Sequence, residues 1–232
     1  MNRREDLNSL YEILDELRQR LGGCRRLREC AAKSGWPERG VYFFFEDGEF
    51  RENQKTLRVV RVGTHAITAT SRTTLWNRLH THRGHSDLGG NHRGSIFRKR
   101  VGEALWKVKP HPNDLTRNWG IRSSASGPIR LAEAPLEREV SAYIGEMPFL
   151  WINVPDAPSR NSDRALLELN AIALLSNFKR PSIDPPSPNW LGLQSSERTI
   201  QESGLWNTNY VEKSHDPAFF EKLRAYVGGT RA

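Results

Sequence analysis

Leu7, Leu10, Tyr11, Leu14 and Leu17 follow one another at helical spacing. The chain therefore opens with a predicted amphipathic helix over residues 5–21, whose apolar stripe is expected to pack on the protein's own core. Gly22-Gly23 interrupts it. A second short helix is expected over 25–33, before Ser34-Gly35-Trp36-Pro37 breaks the chain. The pattern then changes. Gly40-Val41-Tyr42-Phe43-Phe44-Phe45 is a β-branched and aromatic run that suits a buried strand. A turn at 46–49 and a polar stretch to Lys55 lead to a second strand over 57–63, giving an antiparallel hairpin with a long loop.

Leu75, Trp76 and Leu79 form the apolar face of a helix predicted over 73–82. Residues 84–94 are rich in glycine and histidine and read as loop. A helix over 96–108 is expected to turn Ile96, Val101, Ala104 and Leu105 inward. Residues 109–133 read mostly as loop, 137–144 as a short helix, and Phe149-Leu150-Trp151-Ile152-Asn153-Val154 as a strand. A helix over 162–175 has Ser162 or Asp163 at its start. A proline-rich segment over 181–188 and a last helix over 217–226 complete the chain. No internal repeat is visible.

Composition narrows the class. Of 232 residues, 37% are hydrophobic and 27% charged, the balance of a folded chain with a polar surface. No apolar run is long enough to span a membrane, and the first residues lack the apolar stretch of a signal peptide. Cys24 and Cys30 fit neither a zinc knuckle nor a redox pair and are expected as reduced thiols of a cytoplasmic protein. Lys and Arg number 35 against 27 Asp and Glu, a basic balance that favours a polyanion partner.

The ordered elements carry a resemblance. Gly40-Val41-Tyr42 on the first strand, Arg61-Val62-Gly63 on the second, Leu75-Trp76-Asn77-Arg78-Leu79 on a helix, the third strand at 149–154 and Ala165-Leu166-Leu167-Glu168-Leu169-Asn170-Ala171-Ile172 on the next helix resemble, in that order, the GIY-YIG nuclease family. The resemblance covers about residues 38–192. It implies an α+β fold: a small three-stranded mixed or antiparallel sheet flanked by helices. Around that frame the chain divides into an N-terminal helical extension over 1–35 and a nuclease-like domain over 36–232, with a helical insertion at about 83–146.

The resemblance also assigns roles. Arg78 would bind the scissile phosphate and Glu168 would hold a divalent cation, Mg²⁺ or Mn²⁺. Such a hard ion prefers oxygen ligands and keeps several waters, so one carboxylate can suffice. Tyr42 would orient or deprotonate the attacking water. His82 lies one helical turn beyond Arg78 on the same face, the Arg-His spacing of some restriction endonucleases of the family. A neutral histidine there could act as a base or assist the tyrosine. The family closes with an asparagine; Asn189 is the candidate and Asn177 the runner-up.

Three features depart from the pattern. Arg61 stands where the family has a tyrosine, and an arginine cannot act as a base. It could bind phosphate or pair with a carboxylate. The loop between the first two motifs is long. The insertion carries a glycine-rich turn with His92 and Arg93, then Arg98-Lys99-Arg100. It is expected to contact DNA, a glycine-rich turn at a helix start being able to cradle a phosphate. The expected function is a metal-dependent endonuclease acting on DNA. A non-catalytic DNA-binding module on the same fold is the alternative. Double-strand cutting would be compatible with a homodimer.

Overall fold

A computed structural model describes residues 2–85, 87, 89–109 and 118–231. The element order is α1 (Arg3–Arg20), β1 (Arg25–Arg26), β2 (Gly40–Phe50), β3 (Leu57–Gly63), α2 (Leu75–Arg83), α3 (Ile96–Val108), α4 (Gly127–Glu146), β4 (Pro148–Asn153), α5 (Asp163–Leu175), α6 (Arg198–Ser203) and α7 (Phe219–Gly229), with short 3₁₀ turns between. The fold is α+β. Its sheet is antiparallel in the order β1-β4-β2-β3, with four strands where three were expected. The addition is the two-residue β1, which pairs Arg25 and Arg26 with Phe149 and Pro148 at the edge of β4.

Helices cover both faces of the sheet. On one side α1, α5 and α7 pack against β2, β3 and β4. On the other, Tyr42 and Phe44 meet His82 of α2 and Phe97 of α3. Because β2 is covered twice, Val41 through Phe45 are all fully buried. This is why the run reads as continuously apolar instead of alternating. Trp36, Trp76 and Trp151 close the end of the sheet by stacking and tilted contacts.

Several boundaries differ from expectation. Residues 25–33 are not a helix: Arg25 and Arg26 join the sheet and a 3₁₀ turn follows at Leu27–Glu29. Here a free sheet edge outweighs local propensity. Helix α4 starts at Gly127, well inside the stretch read as loop. Proline sits in its first turn, where a missing N–H costs nothing, and again inside it at Pro135. Residues 110–117 of that stretch lie outside the described residues. Ile96, expected inward, is 54% exposed, since the first residue of α3 projects past the core. Helix α5 starts on Ser162, whose side chain accepts from Ala165 N–H, as the capping pattern predicted. Both cysteines are free thiols, and neither lies in an α-helix. No helix among the described residues is long and apolar enough to cross a membrane.

Candidate active site

The β2–β3 pair brings the first two motifs together. Tyr42 stands opposite Gly63 and Phe44 opposite Arg61, and the register then shifts so that Phe45 faces Val59. A bulge of this kind re-aims side chains. Arg61 leaves the strand on the Phe97 side, with its guanidinium 4.6 Å from that ring centre. Gly63 has a steric reason. A Cβ there would fall 2.3 Å from the Tyr42 hydroxyl, so only glycine lets the phenol lie across the strand.

The phenol reaches α2. Tyr42 Oη and His82 Nε2 are 2.8 Å apart, and His82 Nδ1 meets Ser95 Oγ at 2.8 Å. Burial pushes the His82 pKa well below the ordinary histidine value. The nearby charges of Arg78, Arg61 and Arg98 lower it further, so the ring is neutral near pH 7. Arg78 and His82 share a face of α2, whose start is held by Thr74 accepting from Asn77 N–H.

Helix α5 supplies the opposite wall. Arg164 and Glu168 are one turn apart, and both grip the loop that follows β3. Thr64 N–H donates to Glu168 Oε1 at 3.0 Å, and Arg164 donates to the carbonyls of His65 and Ala66. Burial raises the pKa of Glu168; Arg61, the Thr64 N–H, Arg78 and Arg164 act against that rise.

Between these walls lies a cavity of about 170 Å³ lined by Arg61, Thr64, His65, Arg78, Glu168, Asn207 and their neighbours. Several buried nitrogens in its lining have no hydrogen-bond partner among the described residues: Arg61 Nε, Arg78 Nε and His65 Nε2. Buried polar atoms are normally paired, and these unpaired ones belong to residues that line one cavity. The two arginine N–H groups suit an anion. Arg61 otherwise donates to the Trp206 carbonyl at 2.9 Å. Burial lowers its pKa, partly offset by the Tyr42 phenol.

Tyr42, Arg61, Arg78, His82 and Glu168 therefore gather in one place. Tyr42 is fully enclosed behind the wall, with Arg61 and Arg78 in the wall itself. Asn189 does not join them. It is exposed beside Trp190, whose indole bonds Glu46. Asn177 does not join them either; it ties Arg3 to the Ile183 backbone. Two asparagines line the cavity, Asn207 and Asn209, and of these Asn207 is the buried one. Its amide accepts from Val62 N–H at 3.1 Å and donates to Val62 O at 2.8 Å, imitating a strand partner for β3. It lies beyond the proline-rich segment and α6, further along the chain than Asn189.

The structure places the basic residues of the insertion among protein partners. Arg98 is fully buried. It donates through Nε to Glu137 at 3.1 Å, through Nη1 to His82 O at 2.8 Å and through Nη2 to Ser141 at 2.9 Å. The glycine-rich turn cradles this guanidinium and not a phosphate: a Cβ on Gly90 would fall 2.0 Å from Arg98 Nη2. His92 is buried, bonded to Glu137 at 2.9 Å and stacked on Trp119 at 3.8 Å. Arg93 forms a two-pronged pair with Glu133 at 2.6 and 2.7 Å. Lys99 bonds Gly120 O, and Arg100 pairs with Glu103 and Glu197. Burial pushes the Glu137 carboxyl up, but the bonds from His92 and the charge of Arg98 outweigh it and hold the group below the usual carboxylate value.

Sequence reasoning also missed His65, two residues past Gly63, where the strand motif was taken to end. Its Nδ1 lies 2.8 Å from Thr73 O, so Nδ1 carries the proton and Nε2 is a bare acceptor. Burial pushes its pKa down to about 4; the Thr73 bond opposes this, while Arg164, Arg78 and Arg39 add to it. Glu168 and His65 thus offer one carboxylate oxygen set and one imidazole nitrogen. No group of three His, Cys, Asp or Glu able to hold a metal occurs among the described residues. A divalent cation on Glu168 alone would draw its other ligands from water and substrate, the all-oxygen kind of set that Mg²⁺ takes.

A family model described as the GIY-YIG domain matches residues 1–232. Neither the curated proteins nor the solved structures give a match.

Proposed function

The chain belongs to the GIY-YIG domain family, which implies nuclease-type function, and on that premise we propose that it is a metal-dependent endonuclease hydrolysing DNA phosphodiester bonds. The observation that carries this reading is the pair of unpartnered buried donors, Arg61 Nε and Arg78 Nε, in the same cavity wall as Glu168. Preorganised donors of this kind stabilise charge that develops on a phosphoryl group, and more strongly out of bulk water.

Arg78 binds the scissile phosphate, and Arg61 reinforces it. Water attacks phosphorus, the bond to the leaving oxygen breaks, and the water's proton must be taken up. Tyr42 and His82 form the acceptor pair: neutral His82 Nε2 takes the phenol proton, and the Tyr42 oxygen takes that of the water. The Arg61 cation lies beside the phenol. Tyr42 is enclosed behind the cavity wall in the free protein, so this proton transfer requires the Arg61 side chain to move aside. Asn207 holds β3 in place through Val62 and so fixes the Arg61 backbone. A divalent cation, Mg²⁺ or Mn²⁺, held by Glu168 would supply further charge stabilisation at the phosphate.

The test is supercoiled plasmid incubated with Mg²⁺ and the wild-type protein or Glu168→Ala. Cutting by wild type and its loss in the variant is the expected result. Equal cutting by both would overturn the metal role of Glu168. Salt-sensitive binding without any cutting would leave the non-catalytic DNA-binding module, the reading that Arg61 in place of tyrosine favours.

A further inference from the structure

His65 has no role in the chemistry above, and its setting suggests one. Its ring is fixed by the Nδ1–H bond to the Thr73 carbonyl. Its backbone is fixed to α5 by Arg164, and the preceding residue is bonded to Glu168 itself. The loop is thus fastened to the same helix that carries the carboxylate. Ala66, the next residue, sits at φ 52°, in the left-handed region that non-glycine residues seldom occupy and that concentrates at functional sites. What remains is Nε2. The residue is only 5% exposed, this nitrogen has no partner among the described residues, and the residue belongs to the wall that Glu168 also lines. A buried acceptor without a donor is unfavourable unless a ligand uses it. An imidazole with one nitrogen tied to a backbone carbonyl and the other bare is the arrangement of metal-ligating histidines.

We propose that His65 Nε2 is the second protein ligand, beside Glu168, for the divalent cation of this site. The proposal rests on the nuclease reading for the role of Glu168 and adds a chemical consequence. An imidazole nitrogen moves preference away from Mg²⁺ and towards metals such as Ni²⁺ and Zn²⁺.

The experiment is calorimetric titration of the full chain with Ni²⁺ and with Mg²⁺. His80 and His85, whose rings lie 6.0 Å apart, could capture Ni²⁺ on their own, so both are changed to alanine in every sample. In that background His65→Ala is expected to weaken Ni²⁺ binding at least about tenfold while changing Mg²⁺ binding less; Glu168→Ala is expected to weaken both. His65→Gln serves as a second variant should the alanine fail to fold by circular dichroism. Unchanged Ni²⁺ affinity in a folded His65 variant would overturn the proposal. Because the readout is binding, that result leaves the plasmid test of the nuclease reading standing, and loss of cutting in Glu168→Ala alone would separate the two.

Discussion

Arg61 and Arg78 in the cavity wall, and Arg93 and Arg98 in the insertion, are the same residue type in opposite conditions. Every guanidinium nitrogen of Arg98 has a partner, and Arg93 closes a two-pronged pair on Glu133. Arg61 and Arg78 each keep a buried Nε with none. Burial alone therefore does not separate the two groups. Arg100 of the insertion also has an unpartnered Nε, but its other nitrogens are paired with Glu103 and Glu197, so what marks Arg61 and Arg78 is an unpaired donor in a cavity wall without a carboxylate partner. Both groups contribute equally to the net charge of +8, so a charge count overstates the surface available to a polyanion.

The comparison can be broken in several ways. The largest expected effect is on folding. Arg98→Met strands the Glu137 carboxylate in the interior, and breaking a buried pair in this way costs about 3–5 kcal/mol; urea denaturation measures it, and a stability near wild type would show that Arg98 is not structural. Next is Arg78→Ala. It should cut plasmid about 10²–10³-fold more slowly while shifting stability by no more than about 0.5 kcal/mol. A large stability loss would place Arg78 with Arg98.

Protonation gives the third test. His65 and His82 have folded pKa values below that of a free histidine, so the unfolded chain binds more protons between about 6.5 and those lowered values. Stability should therefore fall as pH drops below about 6.5, by up to about 1.4 kcal/mol per pH unit for each ring, and His82→Gln should flatten the slope in chemical denaturation at stepped pH. Activity should also fall on the acid side. The raised pKa of Glu168 puts the acid limb of the pH–rate profile above the usual carboxylate value, since the ionised form is needed. The smallest effect is on the salt dependence of DNA binding. Arg78→Ala should reduce the slope of log affinity against log salt by about 1, whereas Arg93→Gln should leave it unchanged; the reverse pattern would sink the distinction between the two groups.

Much of the frame was legible in the chain. The apolar run at β2, the capped start of α5 and the ordered motifs announced the scaffold, because each is a local signal. The helical spacing of Arg78 and His82 put both on one face of α2. What failed was everything decided by distant partners. Arg25-Arg26 entered the sheet because β4 offered an edge. Asn207 could not be chosen over Asn189 from spacing, since its place is set by bonds to Val62, 145 residues away in the chain. The basic run of the insertion looked like a surface because the acids that neutralise it, Glu133 and Glu137, come from α4, part of which read as loop. His65 was passed over because one backbone carbonyl decides which of its nitrogens is free.

The outer edge of β3 is finished by a late-arriving segment. Trp206 N–H bonds Val60 O, Arg58 bonds Gly204 O, and the Asn207 amide pairs with Val62. These are contacts between remote parts of the chain, and such contacts form slowly because a long loop must close first. Until they do, the hairpin carrying Tyr42 and Arg61 presents an open row of backbone groups, the kind of edge on which chains pair with one another. During synthesis the candidate site would thus be completed late, and the same residues that complete it would cover the open edge of the nascent sheet.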